Sequence, residues 1–138
     1  FSAMDMAKIT WGLARMNFVK HDFEGVWHAL AQHAPLVVRE GRQHEVSMMA
    51  WAFATADVSN GVGALQAIGQ ADLLMLHELS PQSMANILWA YATAGMSDPE
   101  LVEGICERAK ETIEGFVEFD VVNLTWSLAQ MDLVDTSL

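Results

Sequence analysis

The sequence predicts an all-α fold, a right-handed α-solenoid of about 3.5 stacked helical hairpins, each 37–40 residues long. Three observations carry this expectation. Four tryptophans, Trp11, Trp51, Trp89 and Trp126, stand 40, 38 and 37 residues apart, a period that belongs to helical-hairpin arrays. Around each of them apolar residues recur at fixed offsets: Met6, Val46, Met84 and Val121 five before, Ile9, Met49, Ile87 and Leu124 two before, Leu13, Phe53, Tyr91 and Leu128 two after, and Met16, Ala56, Ala94 and Met131 five after. An alanine follows each Trp by three positions, at Ala14, Ala54, Ala92 and Ala129.

Offsets −5, −2, +2 and +5 trace one face of a 3.6-residue helix, and the Trp with its +3 alanine trace a second face beside it. Each such A helix is therefore expected to pack on two sides, with the indole wedged between layers opposite a small residue. An apolar content of 52% over 138 residues suffices for one continuous core.

The first A helix is expected over residues 3–17, with a connector over 17–21. Asp22 has the side chain of an N-cap for the first B helix, along which Phe23, Val26, Trp27, Leu30 and Ala34 keep helical spacing, and Pro35 is expected to end or kink it. Trp27 has no counterpart in later B helices and is either a core residue or an exposed anchor. The polar segment 39–44 reads as a turn into the second A helix, residues 44–57. Ser59-Asn60-Gly61 opens the next hairpin, whose B helix runs to about Leu79 through Leu65, Ile68, Leu73 and Leu76, with Gly63 and Gly69 lowering its propensity. Ser80-Pro81 has the residue types of an N-cap and first turn for the third A helix, and Gly95 suits its end. Asp98-Pro99-Glu100 repeats the start signal for the third B helix, with Leu101, Ile105, Ala109, Ile113 and Phe116 facing inward. A fourth A helix spans 118–132. These seven helices form a single domain, 1–138, with repeats at 1–40, 41–79, 80–116 and an incomplete 117–138.

The third copy, Pro81-Gln82-Ser83-Met84-Ala85-Asn86-Ile87-Leu88-Trp89-Ala90-Tyr91-Ala92-Thr93-Ala94-Gly95, resembles the signature of the octotricopeptide repeat, a helical-hairpin repeat of organellar proteins in algae and related protists. Pro81-Gln82, Ala85-Asn86, Leu88-Trp89-Ala90 and Ala92 carry the likeness. The fourth copy keeps Asn123, Leu124, Trp126, Leu128 and Ala129, and the first two keep mainly the Trp and its alanine. The resemblance implies a place in the chloroplast or mitochondrion, and single-stranded RNA as one class of ligand.

Charge is unevenly spread. Residues 1–56 hold five basic and five acidic residues, whereas residues 57–138 hold two basic against thirteen acidic, so the net charge of −11 belongs to the latter part. Glu100, Glu103, Glu107, Glu111 and Glu114 follow i, i+3, i+4 spacing and form a candidate acidic docking face for a basic partner, or simply a solvated outer face. Offsets −3, +1 and +4 from each Trp define a candidate binding stripe: Lys8 and Arg15, Thr55, Asn86 and Thr93, Asn123 and Gln130 at the outer rows, with Gly12, Ala52, Ala90 and Ser127 between them. Such a stacked row of amide, hydroxyl and guanidinium groups suits base-by-base reading of single-stranded RNA, and equally the solvent-facing inner surface of a solenoid.

No catalytic, cofactor-binding or metal site is expected. The histidines form no i, i+4 pair, Cys106 stands alone beside inward-facing Ile105, and the glycines form no phosphate-binding loop. No run of about 18 apolar residues is present, so no membrane span is expected. The predicted function is a non-enzymatic scaffold or adaptor subunit that makes protein–protein contacts in an organellar assembly with basic partners. Its alternative is an octotricopeptide-type module binding single-stranded RNA in organellar RNA metabolism. Specific RNA binders engage on the order of 6–10 phosphates, and the stripe offers only Lys8 and Arg15. The chain begins inside a repeat at Phe1 and the last A helix lacks a B partner. Val121, Val122, Leu128, Met131, Leu133 and Leu138 are accordingly expected to be covered by further chain or another subunit, with Glu114, Glu118, Asp120 and Asp132 at the rim.

Overall fold

The computed structural model describes residues 2–16, 23–56 and 61–136, with side chains described as far as Asp132. Among them are seven α-helices and no strand: α1 (Ala3–Arg15), α2 (Glu24–Glu40), α3 (Gln43–Ala56), α4 (Gly61–Leu74), α5 (Pro81–Thr93), α6 (Pro99–Glu111) and α7 (Glu118–Thr136). Short 3-10 turns at Leu76–Glu78 and Ile113–Gly115 follow α4 and α6.

The helix starts are built from local side-chain chemistry. Ser80 Oγ accepts the Ser83 N–H at 3.1 Å and Asp98 Oδ1 accepts the Leu101 N–H at 3.2 Å, with Pro81 and Pro99 in the first turns. Ser2 and Asp5 form a capping box at α1, in which the Asp5 carboxylate accepts the Ser2 N–H at 3.0 Å and Ser2 Oγ accepts the Asp5 N–H at 3.1 Å. At α3 the Glu45 carboxylate accepts the Arg42 N–H. Asp5, Glu45 and Ser83 all stand six residues before their Trp, so the repeat carries a helix-start position. Helix α5 stops at Gly95, whose φ of 69° lets the Met96 N–H reach back to the Tyr91 carbonyl at 2.9 Å and the Gly95 N–H to that of Ala92 at 3.2 Å.

Several expectations are corrected. Of the two outcomes expected at Pro35, an end or a kink, the end does not occur: α2 continues to Glu40, with Ala34 and Val37 buried on either side of the proline's turn. Helix α4 ends at Leu74 rather than near Leu79, and Leu76 belongs to the 3-10 turn. Ile113 does not face inward; it lies beyond α6 in the second 3-10 turn and is 58% exposed. The roles expected for Asp22, Ser59 and Asn60 lie outside the described residues.

The helices alternate between two rows. Helix α1 packs on α3, α3 on α5 and α5 on α7; in the other row α2 packs on α4 and α4 on α6, while α1 meets α2, α3 meets α4 and α5 meets α6. Trp27, only 1% exposed, is a core residue set edge-on to Phe53 with ring centroids 5.7 Å apart, which decides between its two predicted roles. Gly69 has a packing reason: a Cβ there would fall 1.9 Å from Tyr91 Oη, whose hydroxyl donates to the Leu65 carbonyl at 3.1 Å.

Candidate binding surface

The odd-numbered helices form a row with one open side. Counting from each Trp, offsets −7, −3, 0 and +4 contain no buried residue: Met4, Lys8, Trp11 and Arg15; His44, Met48, Trp51 and Thr55; Gln82, Asn86, Trp89 and Thr93; Phe119, Asn123, Trp126 and Gln130. The tryptophans therefore lie on the same face as the predicted stripe and are not wedged between layers. Trp11 and Trp126 are 40% and 44% exposed, and Trp51 and Trp89 are half-buried. The row at +1, expected in the middle of the stripe, is instead contact surface, since Ala52, Ala90 and Ser127 are buried.

Side by side, the indoles make a ladder. The Trp11 and Trp51 ring centroids lie 6.4 Å apart with planes tilted by 39°, and Trp51 and Trp89 are 6.4 Å apart at 19°, close to parallel. The Arg15 guanidinium sits 5.5 Å from the Trp11 ring centroid, a cation–π contact that extends the ladder by one flat cationic group. A shallow groove of about 310 Å³ crosses this face between Trp11, Met48, Trp51, Gln82, Asn86 and Phe119. Asn86 also has a structural task, its Nδ2 donating to Ser47 Oγ of the neighbouring helix at 2.8 Å. Lys8, Arg15, Thr55 and Thr93 are exposed, while Asn123 and Gln130 are half-buried.

This face contains no acidic residue, although the chain carries eighteen. The acids lie elsewhere. Glu100, Glu103, Glu107, Glu111 and Glu114 are all exposed, the first four on α6 and Glu114 on the following 3-10 turn. The face they make is partly neutralised locally, because Lys110 Nζ is 2.7 Å from Glu107 and Arg108 is 3.5 Å from Glu111. Of the acids expected around the end of α7, Glu114, Glu118 and Asp132 are exposed. Asp120 is buried, at the helix-start offset that Glu45 and Ser83 share. Val121 and Val122 of α7 are exposed, Leu128 is half-buried and Met131 is buried; Leu133 and Leu138 lie outside the described side chains.

Off this face, Tyr91 and Asp98 line a cavity of about 450 Å³ with Gln66 and Gln70, and burial, then the Asp98 and Asp72 carboxylates, push the Tyr91 hydroxyl up to about 12. Burial pushes the Cys106 thiol above its ordinary range, which disfavours the thiolate. His33 bonds the Ala29 carbonyl of its own helix at 2.8 Å through Nδ1. Among the described residues no three His, Cys, Asp or Glu side chains converge as metal ligands, and no helix is long and apolar enough to cross a membrane.

The sequence analysis placed the polar rows in register with the tryptophan but on a different face, and missed that the indole shares their open side. The signal was present in the small residues Gly12, Ala52, Ala90 and Ser127 at +1, which mark a helix contact and leave the open side to the indole. No family model matches this chain, and neither a curated protein nor a solved structure does.

Proposed function

We propose that this chain is a non-enzymatic scaffold, a right-handed α-solenoid whose tryptophan face holds a protein partner within an organellar assembly. The alternating two-row contacts support the solenoid reading. The observation that carries the function is the acid-free open face: four of the five tryptophans lie there with Met4, Met48, Phe119 and Arg15, residue types favoured at protein interfaces, and Asp and Glu are absent. Trp and Arg are also the side chains that most often dominate binding energy when a partner desolvates them. The acidic residues of α6 would then steer a partner with basic surfaces from outside the contact.

A second reading, single-stranded RNA, is favoured by one specific feature, the near-parallel Trp51–Trp89 pair flanked by amide and hydroxyl groups. Aromatic faces of this kind stack bases at about 1–3 kcal/mol each. Against it stands the supply of cations, two on the face with one already over Trp11. Titration with single-stranded RNA at low salt separates the two. The scaffold reading expects weak binding there and a protein partner lost in the Trp51→Ala/Trp89→Ala variant; tight RNA binding that falls steeply with added salt overturns it.

A further inference from the structure

The cavity beside Tyr91 is rich in hydrogen-bond acceptors, and we propose that it binds an organic ammonium ion, the head group of a small alkylamine or of a lysine side chain. It measures about 450 Å³, within the range of about 300–1,000 Å³ in which small-ligand sites fall. Among the described residues, no Lys, Arg or His lines it. Asp98 supplies the charge: its Oδ1 accepts the Leu101 N–H at 3.2 Å, and its second carboxylate oxygen has no hydrogen-bond or ion-pair partner among the described residues. Tyr91 supplies another acceptor. Its hydroxyl proton is committed to the Leu65 carbonyl at 3.1 Å, so the oxygen offers a ligand only its lone pairs. Gln66 and Gln70, one turn apart on α4, and Ser97 add amide and hydroxyl oxygens at the exposed rim. An ammonium group donates hydrogen bonds and accepts none, which is the complement of this set.

The walls are held in place without a ligand. The Met96 N–H bonds the Tyr91 carbonyl at 2.9 Å across the turn at Gly95, which fixes the segment leading to Ser97 and Asp98. Met96 and Pro99 give the cavity an apolar side, against which the methylenes of an amine lie while its charged end stays with Asp98. Electrostatics favour the same ligand. Burial first, and then the carboxylates of Asp98 and Asp72, oppose ionisation of the Tyr91 hydroxyl, and the negative potential that disfavours a phenolate here favours a cation. All the lining residues lie within 57–138, where thirteen acids outnumber two bases, so the field of the chain draws cations to this part of it. A divalent metal fits less well: the lining offers a single carboxylate, and among the described residues no three His, Cys, Asp or Glu side chains converge.

The cavity lies off the tryptophan face, so this inference is independent of what that face binds. Titration of the whole chain with n-butylamine, followed by heteronuclear NMR, should give saturable shifts at Gln70, Ser97 and Asp98; n-butanol, neutral and of the same length, should give none there. Asp98→Asn keeps an N-cap side chain and removes the charge, and should weaken amine binding by about tenfold or more. Gln70→Lys, at an exposed position, sets a competing ammonium at the rim and should abolish the saturable shifts. Glu103→Gln/Glu107→Gln, on the outer face of α6, should bind like wild type, which separates the cavity from general attraction to an acidic surface. A capped lysine tripeptide identifies the source of the ammonium: binding tighter than that of butylamine assigns the site to a partner's lysine, and weaker binding assigns it to a free amine. The inference is overturned by the absence of saturable binding for both amines, by equal binding of butanol, or by binding that survives Asp98→Asn and falls in the glutamate variant. The Trp51→Ala/Trp89→Ala variant should bind butylamine like wild type, so failure here and failure of the tryptophan-face reading are read separately.

Discussion

Asp72 on α4 is 5% exposed, and burial pushes its carboxyl from the ordinary value of 3.8 up to about 7. A carboxyl whose pKa is higher when folded binds its proton more tightly in the folded state, so it weakens the fold progressively as pH rises from about 4 to about 7. Asp72→Asn, which keeps the shape and removes the charge, should leave stability nearly unchanged at pH 4 and raise it at pH 8, by up to ~4 kcal/mol. Chemical denaturation at the two pH values checks this; equal effects at both would mean that the carboxylate is solvated. The tryptophans give a second residue-scale prediction. Trp27→Ala removes a fully buried indole from beside Phe53 and should destabilise by about 3–5 kcal/mol. Trp89 is only half-buried, so Trp89→Ala should cost roughly half as much, in proportion to the apolar area withdrawn from water. Thermal unfolding of the two variants ranks them, and a larger loss for Trp89 would place its ring in the core after all.

At the scale of the element, the helix starts were the most legible feature because their chemistry is local. Ser80-Pro81 and Asp98-Pro99 announce α5 and α6 within four residues, and the side chains accept the N–H groups those residue types accept elsewhere. Asp98→Ala should therefore lower stability by ~1 kcal/mol, read as a fall of about 4 °C in the unfolding midpoint; an unchanged midpoint would mean that water serves the Leu101 N–H equally well. Gly69 taught the opposite lesson. In sequence it only lowers helix propensity, and its reason, the Tyr91 ring from α5, stands 22 residues away in sequence. Gly69→Ala should destabilise despite alanine's better propensity, and a stabilised variant would show that the ring moves aside without loss. The side of each helix that faces water was not legible for a related reason. Apolar residues fill offsets −5, −2, 0, +2, +3 and +5, more than any single helix face, and residue type cannot say which of these rows lacks a neighbour. Trp fits a core and an open interface alike, so its row was assigned to packing; the rows of neighbours settle it, and they are a property of the assembled helices.

Each described helix touches mainly the next helix of its own row and the one beside it in chain order, so stability should vary along the chain rather than belong to it uniformly. Helices α3 and α5 are enclosed on both edges, with Met49, Ala50, Phe53, Ile87, Leu88 and Tyr91 all buried. Among the described residues, Ile9 of α1 and Val122, Thr125 and Ala129 of α7 are exposed at positions that are buried or half-buried in α3 and α5. Opening a terminal helix exposes one interface, whereas opening α3 or α5 breaks two, so local unfolding should be least costly at the ends. Native-state hydrogen exchange at low concentration should accordingly find the slowest amides in α3 and α5 and faster exchange in α1 and α7. Uniform protection along the chain would show that the rows unfold as one unit.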